Sequence, residues 1–91
     1  MKFKVYEVRA IRIEEKCDYE QSFLYVEYED AVAKFKELVE VEKQVDWIEE
    51  GLASDNERCE LYENVDYWGF YVDNLWSDWR SEVTIIEREV F

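Results

Sequence analysis

The sequence predicts an α+β fold: a four- or five-stranded antiparallel sheet in the order ββαββ, with one helix packed on one face. Two observations lead to this prediction. Segments near both ends of the chain are rich in β-branched and aromatic residues, and none of them contains proline. The middle of the chain instead carries apolar residues at helical spacing. Its 91 residues are enough for one modest core, so a single domain over residues 1–91 is expected.

The first strand is predicted for residues 2–14, where β-branched and aromatic residues alternate with charged ones. The alternation is imperfect, because the apolar residues change sides after Val5 and again after Ala10. Either a bulge near Glu7 or burial of both faces of the strand explains the change. A polar connection then leads to a second strand over residues 22–28, which predicts an antiparallel hairpin.

One long helix is predicted after the second strand. Apolar residues recur there at steps of three and four, the spacing of a single helical stripe. The stripe consists of Ala31, Phe35, Leu38, Val41, Val45, Ile48 and Leu52. Asp30 is expected to cap the N-terminus of this helix, and Gly51 to end it in the left-handed conformation.

The remaining strands are predicted for residues 58–63, 67–72 and 82–90. Residues 64–66 form either a tight turn between two strands or a bulge within one long strand. Residues 73–81 are expected to form a loop. The sheet face away from the helix would be open to solvent. The candidates to lie on that open face are Trp68, Phe70, Trp76 and Trp79.

The charge is strongly negative, with 24 acidic residues against 11 basic ones and a net charge of −13. Residues 46–78 hold ten of the acids against Arg58 alone, with seven aromatic rings among them and an eighth directly after them at Trp79. Aromatic rings argue against an acidic disordered segment, so a folded element with a negative outer surface is expected. Such a surface repels nucleic acid and anionic membranes, and it attracts basic proteins.

The composition excludes most catalytic chemistry. The chain has no histidine, so it has no imidazole base or metal ligand, and two glycines cannot make a phosphate-binding loop. Paired carboxylates are the only catalytic option left, and 24 acids make chance pairs uninformative. We therefore expect no enzyme activity, no metal and no cofactor.

Compartment and redox state are predicted from two further features of the sequence. No segment resembles a signal peptide or a membrane span, so a cytoplasmic location is expected. The two cysteines do not form a metal-binding or redox motif. Cys17 and Cys59 are either two reduced thiols or one disulfide bridge.

In length, acidity and lack of catalytic groups, the whole chain resembles the small DNA-mimic inhibitors of bacteriophages and mobile elements, of the anti-CRISPR and anti-restriction types. The resemblance is one of type and rests on no family motif. It implies a bacterial host cell and a basic nucleic-acid-binding partner, such as a Cas effector or a nuclease. It implies no direct binding of nucleic acid.

The carboxylates of residues 46–78 are spaced on a helix or strand much as phosphates are along a nucleic-acid strand. Glu42 would extend the helical row. The predicted partner-binding residues are Asp46, Glu49, Glu50, Glu57, Glu60, Glu63, Asp66, Asp73, Trp76, Asp78 and Trp79. Most of these acids must share one face for the mimicry to work. The alternative hypothesis is a housekeeping interaction module that forms a homodimer through the open sheet face, with Trp68 and Phe70 as contacts.

Overall fold

A computed structural model describes residues 3–14, 17–53, 59–73 and 78–90. It confirms the α+β fold, with a five-stranded antiparallel sheet and two helices in place of the predicted one. The elements are β1 (Phe3–Glu14), β2 (Cys17–Tyr25), α1 (Tyr28–Lys43), α2 (Asp46–Ala53), β3 (Cys59–Glu63), β4 (Tyr67–Asp73) and β5 (Asp78–Val90).

The strand order in the sheet is β2-β1-β5-β4-β3, and every neighbouring pair is antiparallel. The register between β1 and β5 runs without interruption from Phe3 opposite Val90 to Ile13 opposite Arg80. The predicted bulge near Glu7 is therefore wrong. The apolar residues of β1 change sides because this central strand carries them on both faces.

The predicted single helix is broken after Lys43. Gln44 and Val45 form a turn, and the Val45 carbonyl accepts hydrogen bonds from the N–H groups of Ile48 and Glu49 at the start of α2. Asp30 is not the N-cap, because α1 already begins at Tyr28; it lies in the first turn, where a negative charge favours the helix dipole. Both helices pack on the same face of the sheet.

The core lies between the two helices and that covered face. It consists of Val8, Ala10, Ala31, Phe35, Leu38, Val39, Ile48, Trp68, Phe70, Val83 and Ile85. Trp68 and Phe70 are 2% and 1% exposed, so the expectation that they lie on the open face is wrong. They alternate with Tyr67, Gly69 and Tyr71, and it is these three that point away from the helices.

The second sheet face, here called the open face, is not covered by any helix in the described part of the chain. Strand alternation and register place on it Val5, Glu7, Arg9, Ile11 and Ile13 of β1; Glu20, Ser22 and Leu24 of β2; Glu60 and Tyr62 of β3; Tyr67, Gly69 and Tyr71 of β4; and Arg80, Glu82, Thr84, Ile86 and Arg88 of β5. This face therefore mixes aromatic, aliphatic and charged side chains.

Residues 59–73 form two strands with a turn at 64–66, which resolves the open choice between a turn and a bulge. The resulting hairpin ends in the edge strand β3. Cys59 at the start of β3 is a free thiol, and Cys17 lies in β2 at the opposite edge of the sheet. Four strand spacings separate these edges, roughly 19 Å, which excludes a bridge between the two cysteines.

Candidate partner-binding surfaces

Within the described residues, almost all basic side chains form ion pairs inside the chain. Seven of the eight that belong to the described residues form an ion pair with a carboxylate of the same chain, Lys36 being the eighth. One carboxylate can pair with two cations, as Glu7 does with Arg9 and Arg88. All of these cations except Lys36 are thus already paired with a carboxylate of the same chain.

Many exposed carboxylates are left without a basic partner. Within the described residues they are Asp18, Glu27, Glu29, Asp30, Asp46, Glu49, Glu50, Glu60, Glu63, Asp66 and Glu89. Their mutual repulsion is relieved only by solvent and counterions. The excess negative charge of this protein is therefore carried on its surface, where a basic partner can reach it.

Two groups of these unpaired carboxylates belong to the helices. Asp46, Glu49 and Glu50 are exposed on α2, whose outer side has no basic residue. Positions three and four apart on a helix are neighbours, so these three form one row, here called the α2 row. The other group is formed by Glu27, Glu29 and Asp30, at the start of α1, and sequence reasoning did not include it among the partner-binding residues.

The remaining predicted site residues do not share a face. Glu60 lies on the open face, whereas Glu63, on the same strand, lies on the covered side and lines a groove with Lys36 and Asn64 of about 200 Å³. Asp66 precedes β4 and lines a separate groove with Tyr6 and Tyr28 of about 400 Å³. The predicted acids are therefore divided among the helix layer, both sides of β3 and one turn.

The structure gives only backbone positions for two further predicted site residues and does not describe two others. Asp73 and Asp78 are opposite each other where β4 and β5 meet, which gives the position of their backbones. Glu57 and Trp76 lie outside the described residues. The prediction that these four residues bind the partner stays a prediction.

Trp79 is not in a loop, as β5 already begins at Asp78. Its ring lies on the covered side and meets the ring of Trp47 edge to face, with a centroid distance of 5.3 Å and an interplanar angle of 78°. Trp47 also contacts Phe70 and donates its indole N–H to Glu14 at 3.0 Å. Trp79 therefore packs between β5 and α2, and the expectation that it lies on the open face is wrong.

Glu42 does not extend the α2 row. It is 4% exposed and accepts hydrogen bonds from the Ser81 hydroxyl at 2.8 Å and from the Arg12 guanidinium at 3.3 Å. Arg12 is also 3.4 Å from Glu14. Buried carboxylates are retained when they are paired and hydrogen-bonded, so Glu42 ties α1 to β1 and β5 and is structural.

A shallow depression on the open face is lined by Glu60, Tyr62, Tyr67 and Tyr71 and has a volume of about 300 Å³. Gly69 lies at its base. A Cβ at that position would lie 2.7 Å from the Tyr67 hydroxyl oxygen, so the missing side chain is what lets the Tyr67 ring lie along the strand. We call this group, together with Glu82, the tyrosine pocket.

Hydrogen bonds hold the rings of the tyrosine pocket in place. Tyr62 donates to Glu60 at 2.7 Å and Tyr71 to Glu82 at 2.8 Å, while the hydroxyls of Tyr67 and Tyr71 contact each other. The rings of Tyr62 and Tyr71 are perpendicular, with centroids 5.6 Å apart. Three aromatic rings and two carboxylates thus surround one concave spot.

Two of the pocket tyrosines, Tyr62 and Tyr71, remain neutral at physiological pH because the pKa of each is raised. The hydrogen bond to Glu60 and the negative charge of that carboxylate raise the pKa of Tyr62. Burial, followed by hydrogen bonds to Tyr67 and Glu82, raises the pKa of Tyr71. Their hydroxyls therefore act as donors to the carboxylates and not as phenolate nucleophiles or bases.

Sequence reasoning did not identify the tyrosine pocket. The available signal was the Tyr67-x-Gly69-x-Tyr71 alternation, which places three residues on one side of a strand. Tyr62 approaches Tyr71 because of the register of the β3–β4 hairpin, and the sequence alone does not determine that register.

No helix in the described part of the chain is long and apolar enough to cross a membrane. Comparisons of the chain with protein-family models, with curated proteins and with solved structures give no match. The charge and geometry of these surfaces are therefore what indicates the function of the protein.

Proposed function

We propose that this protein is a non-catalytic acidic inhibitor that occupies the basic nucleic-acid-binding site of another protein. The observation that carries the proposal is the set of exposed carboxylates without a basic partner, in a chain whose described basic side chains are nearly all paired internally. A surface of this kind attracts a groove of Lys and Arg residues and repels nucleic acid itself.

The α2 row is the best match to such a groove. Asp46, Glu49 and Glu50 stand on one short helix, where the Cβ atoms of residues three or four apart are about 5–6 Å from each other, the order of the phosphate spacing in a nucleic-acid strand. The outer side of α1 is different, since Glu37 and Glu40 are paired there with Lys34 and Lys43. A basic groove therefore gains more from α2 than from residues 34–43 of α1.

This assignment places the protein among inhibitors of the anti-CRISPR or anti-restriction type. The partner is a Cas effector or a nuclease in the cytoplasm of a bacterial host cell. Binding competes with DNA or RNA, and it weakens as salt screens the charges that the two proteins present to each other. Because the predicted acids are distributed over several surfaces, the mimicry is limited to the α2 row and its surroundings.

The test is a competition assay. The protein is immobilised, basic proteins of a bacterial lysate are eluted from it by rising salt, and each eluted nuclease is assayed for binding of labelled DNA with and without the free chain. We expect the triple variant Asp46→Asn, Glu49→Gln, Glu50→Gln to inhibit about tenfold less, because each lost charge contact is worth about 0.5 kcal/mol.

The matched control neutralises three acids that are already paired within the chain. Glu20→Gln, Glu37→Gln and Glu40→Gln change the net charge by the same amount and leave the α2 row intact. This control should inhibit like the native protein. Equal losses in both triple variants would mean that only total charge matters, and no loss in the α2 variant would refute the proposed surface.

A second candidate function, self-association, is favoured by the open face. Leu24 of β2 is 67% exposed, and Phe3 at the start of β1 is 49% exposed. The outer edge of β2 pairs with no other strand among the described residues. Exposed apolar groups at a sheet edge are a common route to dimers. Sedimentation over a range of concentrations tests this, with Leu24→Glu expected to abolish any dimer; Trp68 and Phe70 are unsuitable probes because they form the core.

A further inference from the structure

The tyrosine pocket is a preformed concave site on the open face, at the edge strand of the sheet. Tyr62 is 50% exposed, and Glu60 beside it is exposed as well, so a ligand has direct access. The pocket holds about 300 Å³, the size of a side-chain head group with its stem. It lies on the opposite side of the sheet from the α2 row.

We propose that the tyrosine pocket binds the cationic head group of an arginine or lysine side chain presented by the basic partner. The proposal deepens the proposed function and rests on it for the source of the cation. Three tyrosine rings supply cation–π attraction, and the carboxylates of Glu60 and Glu82 supply charge.

The hydrogen bonds in the pocket select for a donor. The Tyr62 and Tyr71 hydroxyl protons are already donated to Glu60 and Glu82, and the Tyr67 hydroxyl therefore donates to Tyr71. The groups that remain available are therefore the other carboxylate lone pairs and the ring faces. Arginine and lysine are donors without any acceptor, so they match a site that offers acceptors only. A phosphate or a carbonyl group would meet negative charge instead.

Arg80 is a cation of the chain that lies beside the pocket, opposite Tyr71 in the sheet. Its guanidinium is 3.9 Å from the Glu82 carboxylate, so Glu82 is partly neutralised within the chain. Glu60 has no basic partner among the described residues. The charge that attracts an incoming cation is therefore that of Glu60, at the exposed rim, and the inner Glu82 mainly orients Tyr71.

The test uses N-acetyl-arginine amide as the probe and N-acetyl-citrulline amide as its neutral isostere. Both are titrated into the ¹⁵N-labelled full chain, and amide shifts of β3 and β4 are followed by NMR. We expect the arginine probe to shift these amides with saturation and the citrulline probe to leave them unchanged. Equal shifts from both probes, or shifts spread over the whole surface, would overturn the proposal.

Variants separate the rings from general surface charge. Tyr62→Leu and Glu60→Gln should each weaken binding of the arginine probe about fivefold, whereas Tyr62→Phe keeps the ring and should stay within about twofold of the native affinity. Tyr28→Leu is the control, since Tyr28 is also exposed, at 44%, but lies on the covered side. Unchanged binding by Tyr62→Leu would refute the role of the rings.

The pocket and the α2 row fail in different ways. The α2 triple variant should bind the arginine probe normally while it loses inhibition of the nuclease. If the probe does not bind and the α2 variant still loses inhibition, the pocket is wrong and the proposed function stands. If the probe binds and Tyr62→Leu inhibits a nuclease as well as the native chain does, the partner is not the source of the cation, and that part of the proposal is overturned.

Discussion

The ring of Phe70 packs so closely against Gly51 that no side chain fits on that glycine. A Cβ at Gly51 would lie 2.5 Å from Phe70 Cζ and 2.9 Å from Cε2. Phe70 is 1% exposed, so its ring cannot move into solvent to make room. The contact explains a glycine inside α2, where it costs about 1 kcal/mol of helix stability relative to alanine. Gly51 is therefore a packing residue and not the left-handed helix end that the sequence predicts.

We expect Gly51→Ala to lower the free energy of unfolding by about 1 kcal/mol. Overpacking a core contact costs about 1–3 kcal/mol, which exceeds the gain in helix propensity of about 1 kcal/mol. Urea unfolding followed by tryptophan fluorescence measures the difference. In a Phe70→Leu background the shorter side chain leaves room, so the same substitution should become neutral or stabilising. A stabilising Gly51→Ala in the native background would contradict the packing described here.

The strands and the helical stripe could be predicted because each repeats its own period over many residues. The break between the helices could not. Val45, Ile48 and Leu52 continue the stripe of α1, since α2 covers the same face of the sheet. An uninterrupted apolar period therefore carries no sign of the turn at Gln44.

The features that escaped prediction depend on contacts between distant parts of the chain. Ser81 belongs to a segment that the sequence predicts as a loop. It is nevertheless fully buried, and its hydroxyl donates a hydrogen bond to Glu42, 39 positions away. Tyr62 and Tyr71 meet only because of the hairpin register, with Glu60 opposite Tyr71. The large negative net charge follows directly from the composition, whereas the distribution of the acids over several surfaces can be known only from the strand order.

Glu42 should be among the most important polar residues for stability. Its removal leaves the Ser81 hydroxyl without its buried acceptor and takes one carboxylate from Arg12. We expect Glu42→Ala to cost about 3 kcal/mol in unfolding free energy, the range found when one partner of a buried ion pair is removed. Thermal and urea unfolding measure the loss.

Glu40→Ala is the matched control for Glu42, on the same helix but exposed, and it should change stability by less than about 0.5 kcal/mol. A double-mutant cycle of Glu42→Ala with Ser81→Ala should give a coupling of at least about 1 kcal/mol. Additive effects would mean that the two side chains do not interact.

Trp79 should contribute to folding and not to partner binding. The edge-to-face contact with Trp47 predicts that Trp79→Leu destabilises the protein by about 2 kcal/mol, and that a cycle with Trp47→Leu gives a coupling of about 1 kcal/mol. Leu24→Ala, at a residue that is 67% exposed, serves as the surface control. A stable Trp79→Leu protein that has lost inhibition would restore Trp79 as a partner contact.

The last prediction concerns Glu7, a carboxylate that is 5% exposed although it lies on the open face. Ser22 donates its hydroxyl to Oε2 at 2.8 Å, and Arg88 donates its Nε–H to Oε1 at 2.7 Å. Arg9 adds a further contact at 3.0 Å. These hydrogen bonds, first from Ser22 and then from Arg88, lower the pKa of Glu7 below its ordinary value of 4.5.

A lowered pKa in the folded state means that folding favours the ionised carboxylate. Its contribution to stability is therefore fully present above pH 4.5, the ordinary value, and is lost as the pH falls through the lower folded-state pKa. Glu7→Gln cannot ionise and resembles the protonated acid in shape. We expect this variant to be less stable than the native protein by about 2 kcal/mol at neutral pH.

The difference between native protein and Glu7→Gln should shrink below pH 4.5 and vanish in stronger acid, where Glu7 itself is protonated. Urea unfolding at intervals between about pH 7 and about pH 2.5 gives the profile. Val65→Thr, at an uncharged residue that is 77% exposed, changes no ionisable group and should show no such dependence. A difference for Glu7→Gln that stays constant over this range would mean that the charge of Glu7 adds nothing to the stability of the sheet.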